Sequence, residues 1–295
     1  MRFVTAAVLL TFAASLGLAA EPNERVKKLL TSKDYTVAWG EPRRFDADAV
    51  LELGGSGGHG GNLNWMRFLP TKDGVEVLDI KLELGRKQYA TKWPEDRAPV
   101  TVKRAVLPRD KFAALLADLA IVDAAKLEPP QRDGAWSSSG NFWVHVQLAA
   151  GKTRYLDMSW AGYSSGTEEP KYAPAVACSA LARDAVAKLK SENHKLTDAE
   201  RRWTSDKFLR LWKSKDDGNG WWVRERAIIT VGVIGDATVL PVLRDVIADG
   251  KDRNVYYAIN AVTRLTGKDV REKPVEDMDL EKVRPKVLQM LKELE

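Results

Sequence analysis

Between Leu78 and Leu84 the chain alternates strictly: Leu78, Ile80, Leu82 and Leu84 are apolar, and the intervening Asp79, Lys81 and Glu83 are charged. A period of two belongs to a β-strand and predicts one face on a core and one in water. Val100, Val102 and Val106 continue in the same style. After Pro108 the period changes. Phe112, Leu115, Leu116 and Leu119 lie at i, i+3, i+4 and i+7, the stripe of an amphipathic helix. Alternation returns at Phe142, Val144, Val146 and Leu148 and again at Leu156, Met158 and Trp160, which predicts a hairpin across Ala149-Ala150-Gly151-Lys152. Pro174 suits the first position of a second helix running through Leu181 to Leu189. Tyr35 to Trp39 adds an earlier strand, and the run Val26 to Leu30 is too short to assign. Strands, helix, hairpin, helix is an α+β order, with two helices on one face of a mostly antiparallel sheet. The polar stretch Ser191-Glu192-Asn193-His194-Lys195 marks its end, so residues 21–195 are expected to form one α+β domain.

The last third repeats itself. Arg226-Ala227-Ile228 aligns with Tyr257-Ala258-Ile259, Val231 with Val262 and Ile234 with Leu265, at an offset of 31 residues. Asp236 to Ile247, between the copies, is also apolar at helical spacing. Each helix offers one apolar stripe, and a helix pair cannot cover both of its faces alone, so such units stack until capped. Val223-Arg224-Glu225-Arg226-Ala227, Gly235-Asp236-Ala237 and Leu240-Pro241-Val242-Leu243 resemble a short HEAT-type repeat. The resemblance covers the last third only. It implies stacked antiparallel helix pairs that bind other proteins, and it implies no reaction. Residues 196–295 are then an all-α HEAT-like domain. Within it, Asp198 to Ser214, with Trp203, Phe208, Leu211 and Trp212, is expected to pack on the N-terminal side. A helix carrying Val283, Val287, Leu288, Leu291 and Leu294 is expected to cap the other end. Pro285 lacks a backbone donor, so this helix either begins near Arg284 or is kinked there. Ala227 and Ala258 are expected at equivalent buried positions where two helices approach closely.

The N-terminus is of another kind. Arg2 precedes an uncharged apolar run from Phe3 to Leu18, small residues to Ala20 and a polar Glu21-Pro22-Asn23-Glu24. This is the pattern of an export signal cut after Ala19 or Ala20, and the run is shorter than the ~20 residues of a membrane span. Residues 1–20 are therefore expected to be removed, leaving a periplasmic or extracellular protein without an inserted segment. Cys178 is the only cysteine, so no internal disulfide forms, and its Ala-rich helical setting suits packing. The formal net charge is +5, and from Leu196 onward 19 Lys plus Arg face 18 Asp plus Glu. Such an even spread lacks the basic stripe of a nucleic-acid binder.

Three motifs fail on their surroundings. Gly55, Gly57 and Gly60 match G-x-G-x-x-G, but the next segment, Asn62 to Pro70, reads as a strand and offers no helix N-terminus to a pyrophosphate. G-x-S-x-G occurs at 54–58 and at 162–166, in neither case with a strand-to-helix elbow and a later Asp and His. His59, His145 and His194 include no pair at H-E-x-x-H spacing. No catalytic group, cofactor or metal is expected. The hairpin offers more. Its parity sets Trp143, His145, Gln147, Tyr155, Asp157 and Ser159 on the wet face, and pairing Val146 with Leu156 and Phe142 with Trp160 sets His145 opposite Asp157. A carboxylate beside an imidazole orients or charges it, as a ligand site requires. Trp143, His145, Tyr155 and Asp157 are the candidate ligand-binding residues, with Trp143 suited to stacking on a sugar ring. Trp203, Trp212, Trp221 and Trp222 are expected to pack between the domains.

These features favour an exported, non-enzymatic scaffold whose HEAT-like end binds another envelope protein. The competing reading makes the α+β domain a binder, or a hydrolase, of envelope polymers or small ligands, with the helices as accessory. Polar groups converging in a pocket of the first domain would separate the two.

Overall fold

The computed structural model describes residues 23–31, 36–56, 63–82, 100–128, 141–163, 173–213, 220–250, 253–271 and 279–294. A short helix, α1 (Glu24–Thr31), precedes β1 (Thr36–Trp39), β2 (Val50–Ser56), β3 (Leu63–Thr71), β4 (Gly74–Leu82) and β5 (Val100–Leu107). Then come α2 (Arg109–Ala124), β6 (Ala125–Glu128), β7 (Asn141–Ala150), β8 (Thr153–Tyr163), α3 (Ala173–Val186) and β9 (Glu192–Asn193). The fold is α+β. Seven strands form one antiparallel sheet in the order β8-β7-β2-β3-β4-β5-β9, and β1 pairs with β6 in a two-stranded ribbon. The polar stretch expected to mark the end of the α+β domain, 191–195, supplies β9, which pairs with Lys103 and Arg104 at the sheet edge.

Both faces of this sheet are covered, which corrects the expectation of one wet face and of helices on a single side. Leu51, Leu53, Phe68, Val75, Val77, Leu107, Val146, Leu148 and Leu156 pack with residues of α1, α2 and α3, and Phe68 stacks on Phe112 at 5.8 Å. The opposite face carries Trp65, Leu78, Ile80, Leu82 and Val102, which pack with Leu196, Ile229, Val233 and Ile234 from later in the chain. β4 shows how one strand serves two layers. Val75 and Val77 point to the first core, and Leu78, Ile80 and Leu82 to the second. The alternation read from Leu78 onward was therefore correct in period and incomplete in coverage. Each fully buried Leu or Ile here contributes roughly 1.5–3 kcal/mol.

The β7–β8 hairpin has a different register from the expected one. Its turn is only Gly151-Lys152, with Gly151 at φ 56, in the left-handed region that favours glycine. Ala150 pairs with Thr153 and Ala149 with Arg154, and a bulge between Leu148 and Ala149 then leaves Tyr155 over. Val146 thus faces Met158, Gln147 faces Asp157 and His145 faces Ser159. The tight turn and the bulge shift the pairing by one residue each. His145 and Asp157 consequently stand diagonal to each other, not opposite.

After β9 the described residues are helical: α4 (Asp198–Lys213), α5 (Gly220–Ile234), a 3-10 turn Ala237–Val239, α6 (Leu240–Asp249), α7 (Arg253–Thr266) and α8 (Leu280–Lys292). Phe208, Ile228, Val231, Leu243, Ile247, Ile259, Val262, Val287 and Leu291 share a further core. α5 packs on α4 and α7, and α6 on α7 and α8. α5 and α7 approach closely at Gly232, where a Cβ would lie 2.7 Å from both Cα and Cβ of Ala261. Of the pair expected at a close approach, Ala258 is fully buried and Ala227 is half-buried against the same core. α8 runs opposite to α6. Near its start Arg284 donates to the carbonyls of Ala248 (3.4 Å) and Gly250 (3.3 Å) at the end of α6, and near its end Leu291 and Leu294 lie by Leu240 and Pro241 at the start of α6. α8 begins at Leu280, ahead of the expected Arg284, so Pro285 lies inside it and the Glu281 carbonyl loses its i+4 donor. Among the described residues no helix is long and apolar enough to cross a membrane.

Candidate functional site

The sheet meets α4 in a polar seam. Glu52 of β2 and Arg67 of β3 are directly paired across the strands and point to the face that the later helices cover; they are 4% and 1% exposed. Burying charges is costly unless they are paired and hydrogen-bonded, and here they are. Arg67 donates from Nε to Glu52 Oε2 (2.9 Å), from Nη1 to the Glu200 carbonyl (3.2 Å) and from Nη2 to Thr204 Oγ1 (2.8 Å). Its guanidinium lies 3.9 Å from the ring centroid of Trp203. Lys207, one helical turn beyond Trp203, donates from Nζ to Glu52 Oε1 at 2.7 Å. Each Glu52 oxygen thus faces a cation, and Arg67 is held by one strand and one helix. Of the tryptophans expected between the domains, Trp203 lies against Arg67 of the sheet, Trp212 stacks on Phe208 inside the helical core, and the side chains of Trp221 and Trp222 lie outside the described residues.

Two further devices fix α4. Thr197 and Glu200 form a reciprocal cap: the Glu200 amide donates to Thr197 Oγ1 (3.2 Å) and the Thr197 amide donates to Glu200 Oε2 (2.6 Å). His194 Nε2 lies 3.1 Å from both Glu200 oxygens, and its backbone N–H donates to the Val102 carbonyl. Burial pushes the Glu200 carboxyl up, but the bonds from Thr197 and His194 outweigh it and leave the group below its ordinary value. On the other side Arg202 pairs with Asp236 at 2.6 Å, and the Asp236 amide donates to Ser205 Oγ. Asp236 is subject to the same contest. Partial burial raises it, and hydrogen bonds from Thr238, Arg202 and Ser205 overcome that and hold it at about 2.

Trp143, His145, Tyr155 and Asp157 lie on β7 and β8, and their side chains are outside the described residues. Of the four, the backbone places Asp157 at one end of a cross-strand row, Asp157–Gln147–Glu52–Arg67, which leads from the edge hairpin into the seam, whereas His145 pairs with Gly54 and Ser159, Trp143 with Ser56 and Ala161, and Tyr155 falls at the bulge. The segments 57–62 and 164–172, which hold most of the glycine-rich and serine motifs, are likewise outside the described residues. Cys178 is fully buried and its thiol is pushed up to about 12, first by burial and then by the charge of Asp123, so it packs and does not react. Sequence reasoning missed Glu52, Arg67 and Lys207. Their signal was present as a charge between apolar neighbours in Leu51-Glu52-Leu53 and Met66-Arg67-Phe68, the same signal that a wet face gives.

A separate apolar cleft opens at the far end of the helices, lined by Ala237, Leu240, Pro241, Arg244, Leu291 and Leu294. Leu294 is 43% exposed and, with Val106, is one of two large hydrophobic side chains classed as exposed among the described residues. No protein-family model, no curated protein and no solved structure matches this chain.

Proposed function

We propose that this is an exported, non-enzymatic scaffold protein that binds another envelope protein through its helical end. The observation that carries the reading is the apolar cleft between the start of α6 and the end of α8, with Leu294 exposed at its rim. An apolar concavity with a large side chain left in water is what a partner's side chain can fill. Two features support the HEAT-like organisation and an all-α unit from residue 196. α5 packs on α7 across the intervening α6, and the aligned pairs Ile228/Ile259 and Val231/Val262 are all fully buried. The reversed α8 makes the stack short, with α5 to α7 as its body and α8 as its cap. Export rests on the sequence of residues 1–20, which lie outside the described residues. Photo-crosslinking from position 294 tests the proposal: a discrete protein adduct is expected, and its absence would overturn the scaffold reading.

A further inference from the structure

The cleft is one end of a longer groove between α6 and α8, and the groove changes character along its length. At the cleft end Leu240, Pro241, Leu291 and Leu294 border a cavity of about 240 Å³, which is room for one large side chain and less than the ~300–1,000 Å³ of a small-molecule pocket. One helical turn along α6 stands Arg244, and a further turn along lies exposed Ala248, whose carbonyl, with that of Gly250, accepts from Arg284 of α8. Each helix thus brings one arginine to the groove. Asp245 and Asp249 follow Arg244 and Ala248 by one residue, and that step of about 100° carries them off the groove face. Asp245, 67% exposed, meets Arg244 Nε only at 3.7 Å, a surface contact that holds an arginine weakly. Arg284 is half-buried, its two bonds are long at 3.4 and 3.3 Å, and its Nε is the buried side-chain N or O atom that lacks a partner among the described residues. A buried N–H without an acceptor is unfavourable, so an acceptor brought to it gains more than one that merely replaces water.

The geometry points to the chemistry of the partner: a segment with one large apolar side chain for the cleft, followed by acidic residues whose carboxylates meet Arg244 and then Arg284. Guanidinium groups match carboxylates through parallel N–H···O bonds, so two arginines in line select an acidic segment over a neutral one. A basic segment is repelled by both. The apolar end supplies the anchor, and the arginines set the direction in which the segment runs. This inference rests on reading the cleft as a protein-binding surface and adds which proteins that surface takes.

NMR titration of the full chain tests this with synthetic peptides: a leucine followed by a run of glutamates, the same peptide with serines or with lysines for the glutamates, and the glutamate run with glycine for the leucine. The leucine–glutamate peptide is expected to shift the Leu294 methyl and the Arg244 and Arg284 Nε–H resonances, and Arg244→Gln to weaken its binding about fivefold. The other peptides should bind more weakly or not at all. Equal binding of the serine or lysine peptide would make the groove blind to charge, and equal binding of the glycine peptide would make it an anion site without an anchor. Concentration-dependent shifts of the same resonances without peptide would assign the groove to a second copy of this chain. Each of these results, like no shift with any peptide, overturns the proposal. Where Arg244→Gln does not fold, the resonances of the unsubstituted protein decide: Nε–H peaks that stay in place refute it. The scaffold reading is judged apart, by the adduct from position 294: an adduct without a preference for glutamate refutes only the partner's chemistry, and no adduct refutes the reading itself.

Discussion

Replacing Glu52 by Gln changes the side-chain volume hardly at all, so what it perturbs is charge. Glu52 Oε2 accepts from Arg67 at 2.9 Å and Oε1 from Lys207 at 2.7 Å. The Arg67 side chain is 2% exposed, so water cannot take over its guanidinium, whereas Lys207 at 19% can turn partly outward. Removing one member of a buried ion group costs ~3–5 kcal/mol, against ~0–1 kcal/mol at a surface. Arg67 keeps the Glu200 carbonyl, Thr204 and the Trp203 ring, and glutamine still offers an acceptor, which places the loss at the lower end, ~3 kcal/mol. Urea unfolding followed by tryptophan fluorescence reads it as a lower midpoint with an unchanged slope. Adding Arg67→Met to Glu52→Gln removes the stranded charge and should recover at least half of the loss. A loss below ~1 kcal/mol, or a double variant no more stable than the single one, would refute the view that this seam is a buried ionic lock.

Gly232→Ala should cost ~1–3 kcal/mol by overpacking α5 against α7, read as a lower thermal midpoint. Adding Ala261→Gly should not restore it, because the Ala261 Cα itself lies 2.7 Å from the new methyl position; full rescue would mean the contact is only between side chains. Asp236 has a folded pKa of about 2, below its ordinary 3.8, so its contribution to stability is present above about pH 4 and is lost as pH falls toward 2. Asp236→Asn should therefore flatten the stability curve between pH 5 and 2, and parallel curves for the two proteins would remove Asp236 from the account.

Local periodicity made most of the elements legible, because a strand or helix stripe is written in neighbouring residues. The run from Phe112 to Leu119 gives α2 directly, and the alternation around Val146 and Leu156 gives the hairpin. What covers a strand is not local. Glu52 and Arg67 look the same in sequence whether α4 lies on them or water does, and so the seam could not be read. Register failed for a related reason: parity survived, but the Gly151-Lys152 turn and the bulge at Leu148/Ala149 set the pairing through backbone geometry that the hydrophobic pattern does not encode. Ahead of α8, buried Arg271 is held by both oxygens of Asp269 and by Asn260. None of those contacts has a periodic signature. Gln147, by contrast, was placed by parity among the polar positions of its strand, and that its position is buried needed the structure to reveal it.

The central claim is that the cleft of α6 and α8 is a protein-binding surface. A photo-crosslinking amino acid placed at position 294 in the full chain, expressed and irradiated in cells that export it, tests this most directly, with position 106 as a control because Val106 is also exposed, at 54%. The account predicts one discrete adduct from position 294 in the envelope fraction, absent from position 106 and lost when Leu291→Asp places a charge in the cleft. No adduct at 294, or the same adducts from both positions, would contradict it.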